Sequence, residues 1–70
     1  AHSVISITHT GTLVVIKTLS GSANAAAEAI DSLRWPEILG SIAGDNTIFV
    51  AVRDEADVPQ VVEKFRSMMK

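Results

Sequence analysis

The chain has no cysteine and no tyrosine, one tryptophan, two phenylalanines and two prolines among its 70 residues. Without thiols it has neither a disulfide framework nor a thiolate metal site. No apolar run approaches the roughly 18 residues of a membrane-spanning helix, and no signal-peptide pattern opens the chain, so a cytoplasmic protein is expected. Positive charge is also sparse. Six lysines and arginines stand against eight acidic residues, for a net charge of −2 and a pI near 5.5. Lys17, Arg34, Arg53, Lys64, Arg66 and Lys70 are scattered rather than striped, so the chain by itself is a poor nucleic-acid binder.

What the chain does have is aliphatic bulk: 47% of its residues are hydrophobic and mean hydropathy is +0.30. Seventy residues make one domain, and a domain of this size buries only roughly 60% of its unfolded surface. Small domains are ordinarily supported by disulfides, a metal or oligomerisation, and the first is excluded. The chain begins at Ala1 without an initiator methionine, and a strand pattern starts within three residues, as expected of a domain within a longer protein or of methionine removal after synthesis.

The pattern along the chain is β-β-α-β-β-α. Val4 to His9 alternates loosely, with Ile5 and Ile7 on one face and Ser6 and Thr8 on the other. Thr10-Gly11-Thr12 turns the chain into Leu13 to Thr18, giving a first hairpin. Leu19-Ser20-Gly21-Ser22 ends in helix-capping residues. Ala23 to Leu33 then follows, with Ala23, Ala26, Ala27, Ile30 and Leu33 on one stripe. Trp35-Pro36 stops that helix, because the residue before proline avoids the α region. Ile38 to Ala43 and Thr47 to Arg53 flank Gly44-Asp45-Asn46 as a second hairpin. For the last helix, Asp57 as N-cap puts Pro59 in the tolerated first turn and Gln60 at the third position, a capping box. Val58, Val61, Val62, Phe65, Met68 and Met69 form its apolar face.

These elements imply an α+β fold of two layers, with two helices on one face of a four-stranded antiparallel sheet. A strand with one wet face should alternate apolar and polar residues. Leu13-Val14-Val15-Ile16 and Ile48-Phe49-Val50-Ala51-Val52 do not alternate. The helices cover one face only, so the other face or the edges are expected to pack in a homo-oligomer.

No catalytic constellation stands out. His2 and His9 lie near one end without a carboxylate at metal-ligand spacing, and no serine has a nucleophile-elbow context. Gly40 and Gly44 are not followed by the Lys-Ser/Thr of a phosphate loop. A small enzyme on the same scaffold, of the pterin dehydratase kind, would call for a histidine cluster. Neither a catalytic residue nor a metal site is therefore expected. Asp31, near the end of the first helix, and Asp45, at the hairpin tip, are the carboxylates to examine; on the residues alone Asp31 reads equally as a solvated helix residue, and Asp45 reads first as an ordinary turn residue.

Taken in order and spacing, the segments resemble the C-terminal domain of bacterial arginine repressors across nearly the whole chain. The family pattern Gly-Thr-Ile-Ala-Gly-Asp-Asp-Thr-Ile is met by Gly40-Ser41-Ile42-Ala43-Gly44-Asp45-Asn46-Thr47-Ile48. Gly11 to Thr18, Ser20-Gly21-Ser22-Ala23-Asn24 and Ile30-Asp31-Ser32-Leu33 also correspond. The resemblance implies trimers that pair into hexamers, with L-arginine between the trimers as co-repressor and DNA bound by a separate N-terminal winged-helix domain. The implied L-arginine site is Asn24 in place of a family Gln, Asp31 for the α-amino end, Ser41 in place of Thr, the Ala43 backbone, Asp45 for the guanidinium, and Asn46 in place of the second Asp. Asn24, Ser41 and Asn46 all depart from the family residues. Arginine binding would then be weaker or less coupled to assembly, and an assembly-only domain is the alternative.

Overall fold

A computed structural model describes residues 4–68; His2 and Met69 lie outside the described residues. Strands β1 (Val4–Thr10) and β2 (Leu13–Thr18) form the first hairpin, followed by α1 (Ala23–Leu33). Strands β3 (Ile38–Ala43) and β4 (Thr47–Val52) form the second, and α2 (Val58–Met68) closes the chain. The order is β-β-α-β-β-α, with an antiparallel sheet in the sequence β1-β2-β4-β3. The two hairpins join through their inner strands, Val14 opposite Val50 and Ile16 opposite Ile48.

Both helices lie on the same side of the sheet. Val14, Ile16, Ile48, Val50 and Val52 point into a core completed by Ala23, Ala27 and Ile30 of α1 and Val58, Val61 and Phe65 of α2. Ala23 to Ala27 allows α1 to approach closely, since a methyl side chain holds the helix axis near the sheet. Arg34 ends α1 in the left-handed region (φ 53°, ψ 43°), ahead of Trp35-Pro36. Gly11 takes the positive φ (+54°) that the two-residue turn of the first hairpin needs.

The opposite face of the sheet carries no helix. Cross-strand pairing places Leu13, Val15, Ala51, Phe49 and Ile42 together there, Val15 and Ile42 both opposite Phe49. Phe49 is 46% exposed and Ile42 72% exposed. Both faces of the inner strands are thus apolar, and only one is covered by the chain's own helices.

Three sequence expectations are corrected. Ile5 and Ile7 do not share a face: a β-bulge between Val4 and Ser6 inserts Ile5 as an extra residue, so Ile7 is buried and Ile5 is 64% exposed. A matching bulge between Ile38 and Gly40 exposes Leu39 on the other edge strand. The capping box of the second helix does not form. A short 3-10 turn (Glu55–Asp57) leads in instead, capped by the Asp54 carboxylate, which accepts from the Ala56 N–H, while the Gln60 amide donates to Glu37. Met68 lies at the last turn of α2 and is exposed rather than part of its apolar face.

Candidate functional site

Four of the six expected ligand residues lie on α1 or β3, and Asp45 and Asn46 form the tip that follows β3. Asn24 and Asp31 are seven residues apart on α1, two helical turns, so they share a flank about 10 Å apart along the axis. Ser41 pairs with Val50 and so faces the helices, where its hydroxyl donates to Asp31 Oδ1 at 2.9 Å. Ala43, two residues on, faces the same way and packs against the core.

The tip is fixed to the start of α1 by backbone alone. The Asp45 carbonyl accepts from Gly21 N–H at 3.0 Å and from Ala23 N–H at 3.3 Å. The first N–H groups of a helix lack intrahelical partners and need an external acceptor. Ser22 is expected to supply it, yet its side chain makes no capping bond. A carbonyl from the distant hairpin takes that place, so the hairpin tip and the helix start form one rigid unit. The neighbouring Asn46 carbonyl accepts from Thr18 N–H at 2.8 Å, which ties the tip to β2 as well. Asp45 keeps its carboxylate exposed, and the one ion pair among the described residues is elsewhere.

Asn46 departs from the others. Its side-chain oxygen accepts from the Thr47 hydroxyl at 2.9 Å, and that hydroxyl accepts from the Lys17 ammonium at 3.1 Å. The chain of bonds runs across the uncovered face, because Lys17 and Thr47 are cross-strand partners there. Reading along the chain misses Lys17 and Thr47; the signal that finds them is the pairing register of β2 with β4. Next to Thr47 on this face, Ile42, Ala43, Gly44 and Phe49 line a shallow hollow of about 330 Å³.

A second cluster that the sequence does not announce holds α2 to the β3 side. Trp35 stacks on buried Phe65 with ring centroids 5.2 Å apart, and Lys64 lies 4.9 Å over the indole. Lys64 and Gln60 both donate to Glu37 Oε2, at 3.0 and 3.1 Å. The Lys64 hydrogen bond, helped by Glu37's own backbone N–H, holds the Glu37 carboxyl below its usual value. This cluster braces the fold. Among the described residues no group of three His, Cys, Asp or Glu could hold a metal, and no helix is long and apolar enough to cross a membrane.

The candidate site therefore brings together two acidic positions at opposite ends of one helix, each anchored to the second hairpin. Asp31 and Asp45 are monodentate or bidentate acceptors for cationic nitrogen groups. The family profile described as "Arginine repressor, C-terminal domain" matches residues 1–67. An arginine repressor of Thermoanaerobacter sp. (strain X514) is 53% identical over all 70 residues, which make up 47% of that protein. One from Alkaliphilus oremlandii is 55% identical over 99% of this chain and 46% of its own length, and one from Clostridium tetani 51% over the whole chain and 46% of its own. The chain spans just under half the length of these relatives. The chain belongs to the arginine repressor family of transcription regulators and corresponds to its C-terminal domain.

Proposed function

We propose that this domain binds L-arginine and assembles its regulator. Copies associate through the uncovered sheet face into trimers, and two trimers meet with L-arginine between them. The resulting hexamer presents DNA-binding domains, supplied by the part of the relatives that this chain does not span, to operators of arginine metabolism genes in the cytoplasm. No catalytic step, metal or other cofactor enters this reading.

The observation that carries it is the fastening of both acidic positions to one hairpin: Asp31 through Ser41, and the Asp45 tip through the first N–H groups of α1. A ligand with an ammonium at one end and a planar guanidinium at the other suits two such acceptors, and fork-like guanidinium–carboxylate pairing is the strong recognition mode. Asn24, one residue beyond Ala23, and the Ala43 backbone border the same strip; Asn46 adds a neutral amide at the tip. A binding energy shared between copies couples ligand to assembly.

A second reading, assembly without sensing, draws on the Ser41–Asp31 bond, which already engages one oxygen of the acceptor assigned to the ammonium. Calorimetric titration separates the two. Sensing predicts heat with L-arginine that Asp45→Ala abolishes while the oligomer persists. An intact oligomer giving no heat at millimolar L-arginine refutes sensing and leaves assembly alone.

A further inference from the structure

The connection between β2 and α1 offers three backbone N–H groups to two consecutive carbonyls of the hairpin tip. Thr18 N–H donates to the Asn46 carbonyl at 2.8 Å, while Gly21 and Ala23 N–H both donate to the Asp45 carbonyl, at 3.0 and 3.3 Å. The Asp45 carboxylate is exposed and lies outside the one ion pair among the described residues, so the backbone decides where it stands. Of the three donors, Thr18 closes β2 and Ala23 opens α1, and each takes its direction from a regular element. Gly21 belongs to neither. Its N–H is aimed by its own backbone, which holds a φ of +79°. Residues with a Cβ disfavour that region, and glycine enters it freely. A Cβ on Gly21 would meet nothing within 4 Å, so there is room for a side chain and only the backbone conformation calls for glycine.

We propose that Gly21 is a positioning residue for the guanidinium end of the ligand site: its left-handed backbone aims an N–H at the Asp45 carbonyl and so sets the tip from which the Asp45 carboxylate reaches the cation. The inference rests on the reading that the domain binds L-arginine through Asp45. Fork-like pairing of a carboxylate with a guanidinium fixes both distance and plane, so a tip displaced by a fraction of a bond length loses more against that cation than against a neutral group. An L side chain at position 21 is relieved by rotation to negative φ, which swings the N–H off the Asp45 carbonyl. The Thr18 and Ala23 bonds remain, so the fold persists while the tip shifts. Ser22 does not substitute, because its side chain makes no capping bond at the start of α1.

Calorimetric titration with L-arginine and with L-citrulline, its neutral urea counterpart, tests this, with circular dichroism and sedimentation of each variant. Gly21→Ala should keep the fold and the ligand-free mass and lose about tenfold in L-arginine affinity, as for one charge-assisted hydrogen bond. Its affinity for L-citrulline should hardly change, so the preference for the cation falls. Gly21→D-Ala, made by chemical synthesis, suits the positive φ and keeps the N–H, and should restore the parent affinity. Gly21→Asn, a residue type that tolerates left-handed backbone, should fall between the two. Ser22→Ala should bind as the parent does. A Gly21→Ala variant that binds L-arginine like the parent, or that loses both ligands equally, overturns the proposal, as does a D-alanine variant that stays weak. A parent chain that gives no heat with L-arginine removes the sensing reading and the role of Gly21 with it, whereas a parent that binds no better than Gly21→Ala removes the role of Gly21 alone.

Discussion

Phe49 is the residue on which the assembly claim can be weighed. It sits at the centre of the uncovered face between Val15 and Ile42, and 46% of it is exposed in the single chain. A phenylalanine has roughly 200 Å² to bury, so about 90 Å² remains available to a second copy. At about 25 cal/mol per Å², covering it contributes roughly 2 kcal/mol per copy. Phe49→Ser forfeits that and places a hydroxyl in an apolar contact. The dissociation constant of the oligomer should then rise by about thirtyfold per copy, since 1.4 kcal/mol is a factor of ten. The fold should survive, because Phe49 points away from the core formed with α1 and α2. Analytical ultracentrifugation across a concentration series reads the first quantity and far-ultraviolet circular dichroism the second. An unchanged dissociation constant with an intact fold would refute the argument.

Three further outcomes follow from particular contacts. Phe65→Ala removes a fully buried ring and its Trp35 stack, and should cost about 3–5 kcal/mol, close to the whole stability of a domain this small; thermal unfolding followed by circular dichroism checks it. Glu37 has a folded pKa below its usual value, so the stability it contributes is complete above that usual value and is lost as the pH falls through the lower folded one. Glu37→Gln should flatten urea stability measured across that acid range. Arg34→Gly relieves a non-glycine residue at φ 53° and should raise stability by up to ~1 kcal/mol, the glycine's greater freedom when unfolded offsetting part of the gain; urea unfolding measures it.

The elements and their order were legible because strand and helix periods are local. Ala23, Ala27 and Ile30 announce a helix stripe, and unbroken apolar runs at Leu13–Ile16 and Ile48–Val52 announce strands used on both faces. What escaped local reading was set across the fold. The bulges at Ile5 and Leu39 depend on register with β2 and β4, and a one-residue shift reverses which side chain faces the core. Ser22 carries the right residue type for a cap, but the Asp45 carbonyl reaches the first helical N–H instead. Asp57 and Gln60 fit a capping box on paper; Gln60 finds Glu37 across the fold and the 3-10 turn takes over the start of α2. Of the candidate site, Asp31 and Asp45 could be named from the sequence as carboxylates to examine. That Ser41 bonds Asp31, and that Thr47 orients Asn46, required the three-dimensional pairing.

The central claim is that the apolar sheet face left open by α1 and α2 is covered by other copies of the chain. Sedimentation equilibrium at micromolar concentration without ligand tests it most directly. The account predicts a mass at least three times the 7.4 kDa of the chain, and a species that stays at 7.4 kDa with or without L-arginine would contradict it.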